Sequence, residues 1–403
     1  MDHAPGERRQ RAMVASRRKR RRAFTILAVL FALASVGILA LTPRATIQVP
    51  VIGEVHGDVE LRFAFTFPDQ ADPPLERPVG VVVAGDRVYV VDSAAAVVRV
   101  YDDRGVERDV VGAGVLDVPV YAAVDAERGV LYVTDRAKGV LFLFGLDDGA
   151  LVGTLEPVAP EGSTVATAWA PLAIDVQETG ALVVSDILDR HRVLLLEPDG
   201  RIIREIAGAQ ADVASAGVGV VLDFPNAVRG TGDEVWVADS NNKRALVFGR
   251  DGDFRRVVPT RGLVRGFDFV PPVAGATETT LVAFTDTLGG GILLMDMEGE
   301  SFGRFGGPGS SEGALAFPND VSVDGERGRI FVADTGNRRV QVWDVSPASE
   351  GDGALFQPGD ALSRDLFRWV AVIAGALSLL LALGALRARR LSGGTDSAGV
   401  DTE

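Results

Sequence analysis

VWVADSNNKRALVF (235–248) and IFVADTGNRRVQVW (330–343) each carry an apolar strand to an aspartate, cross a few polar residues and leave on a second apolar strand. The phrase recurs in VYVVDSAAAVVRVY (88–101), LYVTDRAKGVLFLF (131–144), LVVSDILDRHRVLLL (182–196) and LVAFTDTLGGGILLM (281–295). Its aspartates, Asp92, Asp135, Asp186, Asp239, Asp286 and Asp334, are 43, 51, 53, 47 and 48 residues apart. β-rich units at this period belong to a propeller, with one four-stranded blade per repeat. A single blade cannot bury both of its faces, so the repeats must stack around an axis. The expected fold is an all-β, six-bladed propeller.

Each unit divides into four strands, A to D. In the fourth these are AVRG (227–230), EVWVAD (234–239), RALVFG (244–249) and FRRVV (254–258). Gly232-Asp233 and Asp251-Gly252 supply tight turns between A and B and between C and D. The sixth unit has no strand D of its own after VQVWDV (340–345). The alternating VELRFAFTF (59–67), which precedes the first strand A, can fill that place and remove the last open edge. The propeller is then expected over residues 57–346.

Two apolar runs bracket the repeats, AFTILAVLFALASVGILALT (23–42) and WVAVIAGALSLLLALGAL (369–386). They hold 20 and 18 uncharged residues, and about 20 helical residues cross the hydrocarbon layer. Neither shows the polar face of a core helix, so both read as transmembrane α-helices. Nine basic residues between Arg8 and Arg22 precede the first run, and Arg387, Arg389 and Arg390 follow the second. Basic flanks stay in the cytoplasm, which puts both termini inside and the propeller outside. Pro43 directly after the first run, with no small-x-small site, argues against a cleaved signal. The expected order is a basic cytoplasmic tail (1–22), a span (23–42), a linker (43–56), the propeller (57–346), a linker (347–368), a span (369–386) and a cytoplasmic tail (387–403). Three lysines against many arginines suit a GC-rich prokaryotic genome.

Outside the two tails the chain holds 29 Lys+Arg and 50 Asp+Glu, a net charge of −21. Such a surface repels phosphate backbones, so no nucleic-acid partner is expected. No cysteine is present, which excludes disulfides and thiol catalysis. Of three histidines only His56 and His191 fall outside the tails. No Ser-His-Asp grouping or phosphate loop is visible.

These units resemble NHL repeats. The resemblance rests on a Pro near strand A, the Val-Ala-Asp strand, and Gly/Asn-x-Arg-apolar opening strand C. It is best in FPNAVRGTGDEVWVADSNNKRALVFGRDGDF (224–254) and FPNDVSVDGERGRIFVADTGNRRVQVWD (317–344). The other four units are degenerate, with Ala96, Lys138, Gly139 or Gly290 at the polar signature. The resemblance implies an NHL-type propeller but leaves function open, because such propellers include binding modules, sensor ectodomains and some lyases. The multi-histidine zinc site of the amidating lyases cannot be furnished by two histidines.

The long D–A segments 68–79, 156–170, 207–223 and 306–317 share one end of the disc with all six B–C loops, and that end is the candidate binding face. The six repeat aspartates stand at its rim, where hydrogen bonding to the B–C loop backbone is their simplest role. Arg244 and Arg339 are expected, from the resemblance, to pair with neighbouring carboxylates. Asn226 and Asn319 open two strands A near the channel mouth. In related six-bladed lactonases Asn, Asp and Glu oxygens hold a divalent metal there, a hard set suited to calcium; Asn is also a plain turn former. The expectation is thus a membrane-tethered, non-catalytic binding or scaffold module without a cofactor, for a protein, peptide or glycan ligand. The alternative is a metal-dependent hydrolase or lactonase with a divalent ion at the channel mouth.

Overall fold

Unit four shows how this sequence makes a blade. Its strands, Pro225–Thr231, Glu234–Asp239, Arg244–Gly249 and Phe254–Pro259, pair antiparallel in chain order. In the C–D turn Asp251 accepts a hydrogen bond from its own loop, the Asp253 N–H at 3.1 Å, and Gly252 adopts φ +86°. A residue with a Cβ resists that conformation. The computed structural model describes residues 59–69, 74–188, 191–207, 221–260 and 262–347. Among them are twenty-four strands, numbered β1 to β24 in chain order, in six four-stranded sheets.

Five sheets take four consecutive strands, and the sixth closes the ring. There β1 (Val59–Phe67) adds to β24 (Arg339–Pro347), which pairs with β23 (Arg329–Asp334) and then β22 (Pro318–Asp324). The β1–β24 ladder runs from Val59 opposite Pro347 to Phe67 opposite Val340. Strand D of the last blade is thus VELRFAFTF, as the sequence required. Phe67 anchors it: its ring lies 4.8 Å from Tyr101 of the first blade and 6.5 Å from Phe331 of the last. Gly105 permits this approach, since a Cβ there would fall 2.5 Å from the Cβ of Phe67.

Between blades the core is made of strand residues that alternate inward. Fully buried Trp236 of blade four meets Phe269 of blade five edge-on at 5.6 Å, and Phe267 lies 5.4 Å from Phe284. Burying one such aromatic stabilises by about 1.5–3 kcal/mol, so each blade depends on its neighbours.

The strands A are β2 (Pro78–Ala84), β6 (Pro119–Asp125), β10 (Pro171–Val176), β14 (Pro225–Thr231), β18 (Val264–Val270) and β22. Each touches the strands A of both neighbouring blades, so the six form the inner ring around the axis. The expected spans 23–42 and 369–386 lie outside the described residues. Among the described residues no helix is long and apolar enough to cross a membrane.

Candidate ligand face and central channel

The repeat aspartates end strand B and turn inward. Asp239 accepts from the Asp223 N–H at 2.6 Å, the Asn242 amide at 2.9 Å and Arg244 Nε at 2.8 Å. Asp334 does the same with the Ala316 N–H (2.7 Å), Asn337 (2.7 Å), Arg339 Nε (2.9 Å) and, in addition, Gln341 (2.8 Å). Asp92 accepts from the Glu76 and Arg77 N–H groups, Asp135 from Asp117, Ala137 and Lys138, and Asp186 from Ala170, Leu188 and Arg192. Asp286 accepts from the Gly289 N–H and from Arg304, a strand D residue that substitutes for the arginine missing at Gly291. All six are buried. Each therefore satisfies loop donors that burial would otherwise leave unpaired. They stand at the candidate face without being presented on it. Arg244 and Arg339 are their structural partners.

The residue four beyond the aspartate is left-handed wherever it is described: Ala96 (φ +54°), Gly139 (+66°), Lys243 (+53°), Gly290 (+64°) and Arg338 (+59°). The first, second and fifth units thus keep the backbone geometry while losing the polar signature.

The channel carries charge inside an apolar ring. The fifth residues of the strands A are Val82, Ala123, Asp175, Arg229, Asp268 and Ser322. Buried Arg229 holds Nε 3.8 Å from Asp268 and Nη2 3.9 Å from Asp320. These side chains also stitch blades together. Asp175 accepts from the Gly230 N–H (2.8 Å), Asp268 from Val323 (2.8 Å), Asp320 from Val81 (3.0 Å) and Ser322 from Val83 (3.1 Å). Each bond satisfies an inner-edge donor of the next strand A that has no ladder partner. Oδ1 of Asp320 is buried without a hydrogen bond. Burial pushes the carboxyls of Asp175 and Asp320 up to about 6, against the opposing pull of Arg229. Asp268 is raised for the same reason.

Above this layer lies the channel mouth. Asn319 donates to the Val79 carbonyl and to the Tyr121 hydroxyl, while its Oδ1 accepts from Arg265 Nη1 at 3.2 Å. Asn226 donates back to the Phe224 carbonyl at 3.3 Å. Phe224 and Phe317, each just before the proline that opens its strand A, have φ +55° and +50° and are 42% and 60% exposed. Left-handed backbone at such a bulky residue costs about 1–3 kcal/mol. Here the cost is spent on showing a ring to solvent. Leu188, Val221 and Leu288 are exposed on the same face.

The aspartate pairing in blade six matches a known repeat. Residues 315–343 form an NHL repeat. No curated protein matches the sequence. Two solved structures from Bacteroides thetaiotaomicron VPI-5482 are similar in fold. One is described as an auxiliary nutrient binding protein (12% identity, TM-score 0.51, covering 72% of this chain and 77% of that one). The other is a structural genomics protein of unknown function (13% identity, TM-score 0.53, covering 72% and 76%). At these identities the likeness concerns the six-bladed fold alone.

The hydrolase alternative draws no support from this NHL-type propeller. Asn319 and Asn226 share the mouth, yet the oxygen of Asn319 faces a guanidinium, and Arg229 lies below. Among the described residues no group of three or more His, Asp or Glu side chains is placed to hold a metal ion. Sequence reading missed Asp175, Arg229, Arg265, Asp268, Asp320, Phe224 and Phe317. The signal was there: charged residues at the centre of otherwise apolar strands, in AIDV, AVRG and FDF, become conspicuous once the strands A are aligned by their first residue.

Proposed function

We propose that this chain is a non-catalytic binding module, tethered to the membrane by residues 23–42 and 369–386, with its propeller outside the cell and its loop face turned to a protein, peptide or glycan ligand. The observation that carries the reading is the pair of exposed, left-handed phenylalanines at the channel mouth. Strained backbone that leaves apolar rings exposed points to a use in binding. Below them the channel is lined by Arg229 and the carboxyls of Asp175, Asp268 and Asp320. Both ends of the ring leave by one blade at the hairpin face, since Val59 pairs with Pro347.

Two experiments test this. Terminal tags should survive protease added to intact cells while the propeller is removed; digestion of either tag refutes the topology. A Phe224→Ser/Phe317→Ser double variant that melts like wild type should lose the partners crosslinked to wild type at the cell surface. Unchanged crosslinks would remove the loop face from consideration.

A further inference from the structure

We propose that the ligand of this face is a peptide segment carrying carboxylates between apolar side chains, with one carboxylate seated on Arg265 at the channel mouth. The inference rests on the binding-module reading above and names the chemistry of its ligand. It starts from where the charges sit. The domain is strongly acidic, with many carboxylates in the hairpin turns, for example Asp147, Asp148, Asp251, Asp253, Glu298 and Glu300, and others in the outer D–A segments of the loop face, such as Asp117, Asp223 and Glu312. The inner ring of the loop face has the reverse sign. Among the described residues, the B–C loops and the first two residues of the strands A carry Arg136, Lys138, Lys243, Arg265 and Arg338 and no carboxylate. The repeat aspartates beside them are buried and committed to their loops.

Several of these cations are unspent. The side chains of Arg136 and Lys243 make no ion pair among the described residues, and Lys138 reaches Asp117 only at 3.8 Å. Arg265 is exposed, and its side-chain partner among the described residues is the neutral Asn319 oxygen at 3.2 Å. A guanidinium bound to one amide oxygen keeps a free edge for a bidentate carboxylate.

Position supplies the rest. Phe224 opens blade four, Arg265 blade five and Phe317 blade six, so the cation stands between two exposed rings in consecutive blades, with Leu288 in the B–C loop of blade five. An apolar–acidic–apolar sequence matches that order. A nucleic acid would offer anions too, but a polyanion extends its charge beyond the ring into the field of the acidic domain. A short peptide places one or two carboxylates within a Debye length of the cations, about 8–10 Å, and escapes most of that repulsion. A second copy of this chain would bring two acidic bodies together.

The test uses the purified full chain and three labelled probes followed by fluorescence anisotropy: a short peptide of alternating Leu and Glu, its Leu/Gln counterpart, and a uridine oligonucleotide. The Leu/Glu peptide should bind about tenfold more tightly than Leu/Gln, as expected for a charge-assisted pair, and should weaken with salt. Arg265→Gln should abolish that preference and Arg265→Lys restore part of it, while Arg255→Gln on the outer wall should change nothing. Equal binding of the two peptides, an intact preference in Arg265→Gln, or no peptide binding at all would overturn the proposal, as would tighter binding of the oligonucleotide. If the peptides bind equally but both are lost in Phe224→Ser/Phe317→Ser, the acidic preference falls and the binding face stands.

Discussion

Lowering the pH from 7 to 5 should make this propeller more stable. Asp175 and Asp320 have folded-state values raised to about 6 by burial in the channel, against about 3.9 in an unfolded chain. A raised carboxyl means that the folded state binds the proton more tightly than the unfolded state. Its ionisation therefore costs stability as pH rises through 6, and the cost is relieved below it. Between pH 7 and pH 5 each group regains about 1.3 kcal/mol, or about 2–3 kcal/mol for the two. The carboxylates with depressed values, Asp102, Asp199, Asp233 and Glu234, act oppositely. Theirs is stability lost only as pH falls through values below the ordinary carboxylate range, so they contribute little between pH 5 and 7. Urea unfolding followed by the fluorescence of the buried Trp236 and Trp343 measures the difference. General relief of charge repulsion has the same sign, so the decisive comparison is Asp320→Asn. Asn keeps an oxygen for the Val81 N–H and cannot titrate, and the pH 5–7 difference should fall by about 1.3 kcal/mol. A wild type less stable at pH 5, or an Asp320→Asn protein with the full difference, would refute the account of the channel.

Phe67→Ala should destabilise by about 3–5 kcal/mol, because it empties the seam where β1 locks blade six to blade one; a change below about 1 kcal/mol in the urea midpoint analysis would mean that the ring is held closed elsewhere. Ala96→Gly should stabilise by up to about 1 kcal/mol, since the φ of +54° strains alanine and suits glycine, whereas a loss of stability would show that Ala96 is not strained in solution.

The fold was legible because its determinants are local and repeated. An aspartate closing strand B recurs six times, Asp/Gly turns join strands in most units, and the closing strand followed from counting strands in the last unit. The channel was not legible in the same way. Asp175, Arg229, Asp268 and Asp320 are far apart in sequence and meet only through the ring, and each sits in a strand that reads as ordinary apolar β. Phe224 and Phe317 were hidden for a different reason: a phenylalanine beside a strand reads as core, and only its backbone angle turns it outward. Asn319 lies at the mouth as its position implied, and only the assembled ring shows that its oxygen accepts from Arg265.

The closing ladder has a mechanical consequence. Val59 and Pro347 are partners at one end of an antiparallel pair whose hydrogen bonds run across the strands. Drawing the two chain ends apart would load these bonds one at a time, as a zipper opens, and would part the ring at low force. Pulling on the loop face while both ends are held would load β1 and β24 along their length in the same direction, so the bonds between them would not be peeled apart. The same seam is therefore weak to lateral separation of its ends and strong to tension along the disc axis. Tension between the two chain ends and the loop face meets the seam in its strong direction.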